Sequence, residues 1–485
     1  MEKHTPKRSK KKLALSAFTI ILLLTFCLAI LSNMPFMPKA SFIGDTIIDG
    51  SGVKGATLPE TLMAPILGFA DAIDIGIFIL ILGGFLKIVN HTKSLEAGIQ
   101  VLIKKLKGKE LLLIPILMFI FSIGGTTYGM LEETVGFYAI LAAAMVAAGM
   151  DTVVSSAIVL LGAGSGVLGS TVNPFAVGVA VSALPEGLAV NQGIIIAIGV
   201  VLWLTSYAIS TLFVMSYAKK VIKKKGSTIL SLQEQRDMNK TYGASEALKK
   251  IDKLTGKQKT TLILFALTFV VMIVGFIPWG DFGVHIFEKT GLITGTPLGE
   301  WYFYEGALWF LIMTIVIGIV NGLNEHKFVD LFIDGADDMV GVILIIAVAR
   351  GTSILMTTTY LDNYIIFNAA KGLAHVPKFI FAPLNYILHV GLSVLVPSSS
   401  GLATLSSPIM GPLANTVGYS VETTLMEMVA ANGLVNLFTP TCGAIMGGLE
   451  LAKVDYTTWL KWSLKVILCI AIANIIILTV AMCIL

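Results

Sequence analysis

Glu132 and Glu133 stand side by side in a segment, 111–148, that is otherwise almost wholly apolar. A carboxylate at membrane depth is costly unless it is paired or faces water. Neighbouring side chains diverge by about 100° on a helix, so at least one of the two should look into a cavity. There it would bind a substrate ammonium or guanidinium, a coupling cation or a proton. The competing role is to cap the helix that follows, a task for which Thr126 and Thr127 also have the chemistry. A direct role in binding is the expectation, with Glu133, the deeper of the two, preferred.

Neutral oxygens gather at three further places. The glycine-dense stretch 162–174 ends in Ser170, Thr171, Asn173 and Pro174, and 432–441 offers Asn436 and Thr439 before Pro440. Glycine permits either close helix packing or unwinding; the hydroxyls, amides and prolines favour unwinding into a ligand site. Oxygens of this kind near Asn173 and Asn436 suit Na⁺ or a polar solute. Ser398, Ser399 and Ser400 form the third place, small hydroxyls that touch a ligand without filling a cavity. Arg350, Gly351, Thr352 and Ser353, with Thr357, Thr358, Thr359 and Asp362, are expected to break a span, and Arg350 either to pair with Asp362 or Glu133 or to bind a substrate carboxylate. His389 reads as a packed helix residue, and Asp71 and Asp74 as markers of an interfacial bend.

These residues need elements that hold polar groups at membrane depth. The chain is 485 residues long, 55% hydrophobic and 13% charged, with mean hydropathy +0.86, against about 25% charged in soluble domains. It reads as an all-α polytopic membrane protein of roughly ten spans. The segment 13–31 follows a basic run and is read as a retained span, since its apolar core exceeds the roughly 7–15 residues of a signal peptide. Segments 111–148 and 377–416 each have a polar centre and are read as re-entrant hairpins. With a cytoplasmic N-terminus, the segments placed inside, 1–12, 91–110, 149–153, 218–259, 326–336 and 450–462, carry 26 of the 34 Lys and Arg residues, which satisfies the positive-inside rule.

The chain then divides into a first repeat, 1–217, a basic cytoplasmic linker, 218–259, a linking span and external loop, 260–305, and a second repeat of opposite orientation, 306–485. Broken segments in corresponding positions of two halves point to a solute site. The linker lysines are interspersed with acids and lack an aromatic platform, so no nucleic-acid partner is expected; the lipid bilayer and a small solute are. Motifs HExxH, GxSxG and GxxxxGK[ST] and any Cys/His metal cluster are absent from the sequence, which speaks against an enzyme, an ATP-driven pump, a resident metal or a cofactor. Cys27, Cys442, Cys469 and Cys483 read as small apolar residues of helices.

The chain resembles the YfcC family within the C4-dicarboxylate anaerobic carrier group of the ion transporter superfamily. The likeness is carried by Leu62-Met63-Ala64-Pro65-Ile66, by Gly124-Gly125-Thr126-Thr127-Tyr128-Gly129-Met130 with Glu132 and Glu133, by Gly164-Ser165-Gly166 and Asn173-Pro174-Phe175, and by Gly335-Ala336-Asp337-Asp338-Met339 leading into Ala349-Arg350-Gly351. The resemblance implies a homodimer in the bacterial inner membrane. Each protomer would have a scaffold domain and a transport domain that bears the hairpins and moves as an elevator. It also implies basic amino acids, in arginine/ornithine exchange, or dicarboxylates as substrates. The departure at Thr357-Thr358-Thr359-Tyr360 leaves the substrate open.

The resulting expectation is a secondary transporter, an exchanger or a carrier coupled to Na⁺ or H⁺, for basic amino acids. A carrier of C4-dicarboxylates is the second reading. An ion channel is the rival from another class, disfavoured because isolated breaks do not make a continuous polar file.

Overall fold

The computed structural model describes residues 17–485 apart from 44–45, 48–51, 96, 99–100, 102–108, 186, 189, 244–252 and 278; the side chains of a few more, Glu133 among them, also lie outside the described set. The basic runs at 1–12, 102–108 and 244–252 thus fall outside it.

Eight of the described helices start just behind a capping side chain, which satisfies amides that the first turn leaves open. The first helix is α1 (Ala17–Ser32), followed by a two-residue antiparallel ribbon of β1 (Phe42–Ile43) and β2 (Thr46–Ile47). Thr57 caps α2 (Leu58–Asp71), and α3 (Ile73–His91) resumes after Ala72, where Asp71 and Asp74 were expected to mark a bend. The first hairpin is α4 (Leu113–Tyr128) and α5 (Val135–Ala147), joined through Gly129. Asp151 caps α6 (Thr152–Leu168); a π-turn over Pro174–Gly178 leads into α7 (Val179–Ser182). Then come α8 (Gln192–Lys223), α9 (Leu232–Tyr242), α10 (Gly256–Phe276) and α11 (Phe303–Asn321). The second half continues with α12 (Glu325–Thr358) and α13 (Leu361–Leu373), and its hairpin is α14 (Lys378–Leu395) with α15 (Ser399–Thr416). The chain closes with α16 (Val421–Val435), α17 (Gly443–Ala452) and α18 (Tyr456–Ile484). Among the described residues seven helices are long and apolar enough to cross a membrane, or eight if α12, bent by 42°, counts as one span.

The structure sharpens three expectations. The break expected between Arg350 and Asp362 falls at Tyr360, whose φ of 55° is left-handed, while Arg350, Gly351, Thr352 and Ser353 lie within α12. Residues 326–336, read as an inside loop, are helical and begin α12. Within the linker 218–259, α8 runs on to Lys223, and in α9 the buried Glu234 accepts from the Asp455 amide and the Thr458 hydroxyl.

Two helices form the centre of one body. Every residue of α6 is buried, and so is every residue of α16 except Glu422. Such helices must be enclosed on all sides, and they are. The hairpin arms α4 and α5 flank α6, the arms α14 and α15 flank α16, and the two central helices touch each other, with α8 and α18 outside. A second body is built on α12, which packs against α1, α2 and α3, with α10 and α11 behind. There Phe85 meets Phe265, Phe269 and Phe310 with ring centroids 5.0–6.1 Å apart.

Reciprocal glycines allow the closest backbone approaches. A Cβ on Gly125 would strike the carbonyl oxygen of Ala163, and one on Gly166 that of Ser122, so α4 and α6 meet without side chains between them. The same holds for Gly83 and Gly335, and for Gly68 against Gly351, where α2 and α3 meet α12. This is the packing mode membrane helices use when no hydrophobic effect draws them together. Gly166→Leu should therefore lower the thermal unfolding midpoint of the detergent-solubilised protein, by an overpacking cost of at least about 1–3 kcal/mol. Gly372→Leu, with open space around it, should leave the midpoint nearly unchanged; equal midpoints for the two variants would refute the close approach.

Candidate functional site

The end of α4 is fixed by Gly129, which adopts φ 79° and ψ 28° and faces Asn173, whose amide nitrogen would lie 2.7 Å from an added Cβ. Both facts require glycine. Beyond α6 the chain unwinds, and its freed polar groups are taken up by the hairpin tip. The Thr126 hydroxyl donates to Gly169 O at 2.7 Å, and the Thr171 amide donates to Thr126 O at 2.9 Å. Asn173 Oδ1 accepts from the amides of Phe175 and Ala176, and its Nδ2 donates to Ser170 Oγ.

The second half solves the same problem with different residues. Pro397 O, at the tip, accepts from Nδ2 of Asn432 at 3.2 Å and of Asn436 at 3.0 Å. Ser399 donates to Asn432 Oδ1 at 2.7 Å, and Thr441 donates to Val394 O at 2.8 Å. Each hairpin tip is thus bound to the interrupted helix of its own half. Asn436 Oδ1 is buried and has no hydrogen-bond partner.

Both tips open on one cavity of about 100 Å³ between the two bodies. That exceeds the roughly 10–15 Å³ that one water needs on the same measure. The body of α6 and α16 contributes Tyr128, Gly129, Glu132, Asn173, Ser398, Ser399, Ser400, Asn436, Thr441 and Cys442 to the lining, and the body of α12 contributes Ile75, Ile346, Ala349 and Arg350. Tyr302, Phe303 and Phe175 give it an aromatic side. Glu132 lines it from the turn before α5, where no side-chain cap is made. The Arg350 guanidinium is partly exposed and comes no nearer than 3.9 Å to Asp71. The wall therefore presents one carboxylate, one guanidinium, neutral oxygens, and the N-terminus of α15, whose open amides favour an anion.

Of the residues singled out in the sequence, Glu132, Asn173, Arg350, Ser398, Ser399, Ser400 and Asn436 line this cavity together. Thr126, Ser170, Thr171 and Thr439 do not; they are buried in the clamps, Thr439 through Thr441. Thr127 turns back on Ile123 O at 2.7 Å. Asp362 is held by the Thr357 hydroxyl and the Asn363 amide, and the recorded partner of Arg350 is Asp71. The Glu133 side chain lies outside the described residues. Thr441, Tyr128 and Cys442 line the cavity without having been expected, though each is within three residues of a break that was. Among the described residues no group of His, Cys, Asp and Glu could hold a metal ion.

The family model described as "C4-dicarboxylate anaerobic carrier" matches residues 14–483. An uncharacterised protein of Haemophilus influenzae is 31% identical over 414 residues, covering 85% of this chain and 76% of that one. A protein of Escherichia coli named "Putative basic amino acid antiporter YfcC" is 28% identical over 404 residues, covering 81% of this chain and 74% of the relative. Among solved structures, the YdaH transporter of Alcanivorax borkumensis aligns over 96% of this chain and 97% of its own at 15% identity and a TM-score of 0.44. MtrF of Neisseria gonorrhoeae gives 16% identity, a TM-score of 0.44 and coverage of 97% and 95%; both likenesses are too loose to assign detail.

In a background without the four native cysteines, Ser399→Cys should react with a small thiol reagent and be protected by transported solute. Thr127→Cys, turned away from the cavity, should gain no such protection. Protection of both or of neither would mean that the solute does not sit between the tips.

Proposed function

The chain belongs to the C4-dicarboxylate anaerobic carrier family, and from that premise we propose that this multi-pass membrane transporter exchanges amino acids, basic ones such as arginine and ornithine first among them. The observation that carries the proposal is the paired charge of the cavity: Glu132 and Arg350 line the same space. An amino acid brings an ammonium and a carboxylate, and this wall offers a partner of opposite sign for each. The carboxylate would lie against Arg350 and the amides at the start of α15, the ammonium against Glu132. Glu133, next in sequence, is the natural partner for the added charge of a basic side chain. The relative named as a basic amino acid antiporter supports the same substrate class.

The wider reading is an alternating-access carrier of the inner membrane, built from two inverted repeats in a homodimer, with the α6–α16 body moving as an elevator against the α12 body. Its support is the shared order of elements in 17–223 and 303–484: a helix, a bent helix pair, a hairpin, an interrupted helix and a long last helix. Coupling to Na⁺ or H⁺ is part of it; Asn436 Oδ1, buried without a partner, is the neutral oxygen best placed for Na⁺. A dicarboxylate carrier is the second reading, favoured by Arg350 and the α15 N-terminus in one wall.

Thermal unfolding in the presence of amino acids and dicarboxylates tests the choice, because a ligand at 100 times its Kd adds about 2.7 kcal/mol to stability. Arginine or ornithine should stabilise the wild type. Glu132→Gln should weaken that binding by more than tenfold, in line with roughly 2–5 kcal/mol for a truncated charge pair. Stabilisation by dicarboxylates alone, or amino-acid binding unchanged in Glu132→Gln, would overturn the proposal.

A further inference from the structure

Glu427 has no part in the cavity. It lies on α16, five residues before Asn432 and so about 7.5 Å along the axis from the clamp at the second hairpin tip. Its relative exposure is 0%. Among the described residues one hydrogen bond reaches it, from Asn385 Nδ2 of α14 to Oε2 at 2.6 Å, and Oε1 and Asn385 Oδ1 are both buried without partners. A buried carboxylate that keeps its charge is held by cations or by several donors, and this one has a single neutral amide.

Among the described residues the helices packed on α16 bring no cation to it; Lys378, at the start of α14, lies over the Tyr419 ring. Neither α6 nor α15 contains a titratable residue, and neither does the π-turn over Pro174–Gly178. On α14, His389 donates from Nδ1 to Asn385 O at 2.7 Å and its Nε2 lies 2.7 Å from the Ser406 hydroxyl, so both ring nitrogens are engaged by groups other than Glu427. Tyr386, also on α14, accepts from Asn474 of α18. Lys461 and Lys465 of α18 are exposed, as are Lys219, Lys220 and Lys223 of α8. Tyr217 and Tyr207 of α8 donate to Asp151 and to Pro115 O. On α16 itself Glu422 accepts from the Asn191 amide.

We propose that Glu427 is a proton-binding site and that its proton is the coupling ion of transport. With α14, α15 and α16 closed around it, Glu427 is a carboxylic acid. When the seam between the hairpin arms and α16 opens, the O–H bond breaks heterolytically, the carboxylate keeps the electron pair and the proton passes to water. The proton is regained from water on the other face of the membrane. The seam connects this group to the cavity: Ser399 is bound to Asn432 across it, and a solute that draws Ser399 away loosens the junction that shields Glu427. This inference rests on the transport reading above and deepens it.

The test joins a measurement that needs no solute to one that does. In infrared difference spectra at neutral pH, the wild type should show the carbonyl stretch of a protonated carboxylic acid that is missing from Glu427→Gln. In proteoliposomes, an imposed pH gradient should change the rate of arginine uptake by the wild type several-fold, and the uptake left in Glu427→Gln should not respond to it. If Glu427→Gln does not fold, Asn385→Ala, which removes the one donor to the carboxylate, should move the pH midpoint of wild-type behaviour upwards. A spectrum unchanged in Glu427→Gln would show an ionised group and overturn the proposal. A band lost with gradient dependence retained would make Glu427 a structural acid only, and a wild type insensitive to the gradient would exclude proton coupling. If no solute is transported, the transport reading and the coupling fall, while the spectrum still decides where the proton is.

Discussion

Backbone amides and carbonyls cannot be left without partners in hydrocarbon, and the rest of this structure is arranged around that constraint. The chain interrupts its helices beyond Leu168 and beyond Val435, and turns back at Gly129 and at Pro397. Each interruption is made good by the tip of the hairpin beside it: Thr126 with Gly169 and Thr171 in the first half, Pro397 with Asn432 and Asn436 in the second. A tip and a break that complete each other's hydrogen bonds can sit deep in a membrane protein where neither could alone. Of the charged groups of the cavity, Glu132 follows the first tip directly in sequence, while Arg350 comes from the α12 body.

The architecture was legible because its signals are of kinds that sequence carries well. Apolar length gives spans, Gly129 and the serines after Pro397 give turns, and Asn173-Pro174 and Thr439-Pro440 give interruptions. The roles of individual hydroxyls and amides were not. Thr126, Thr171 and Asn432 satisfy backbone carbonyls, amides and neighbouring side chains with the same groups that bind solutes elsewhere, and residue type does not tell the two uses apart. Gly351 was read as part of a broken stretch that does break, at Tyr360, but the glycine itself stands within helix, where Ala64 comes too close for a side chain. Glu427 was passed over although the argument applied to Glu132 and Glu133 applies to it as well, a lone acid in an apolar run.

The two bodies differ in how they are held together. Around α6 and α16, buried serine, threonine, asparagine and histidine side chains link helix to helix, as in Ser165 to Ser210 and His389 to Ser406. Around α12 the means are glycines and a cluster of phenylalanines. The cavity opens where the two kinds of packing meet, so its two walls answer to different internal constraints.

The reciprocal contact of Gly83 with Gly335, and of Gly68 with Gly351, has a mechanical meaning. Where backbones touch directly, one helix can slide past the other only by lifting out of register and re-seating a whole turn away, a step of about 5.4 Å. The α2–α3–α12 unit therefore behaves as a keyed joint, rigid to shear. Displacement between the bodies would have to be taken up at the cavity seam, where Gly443 of α17 rests against Ile346 of α12.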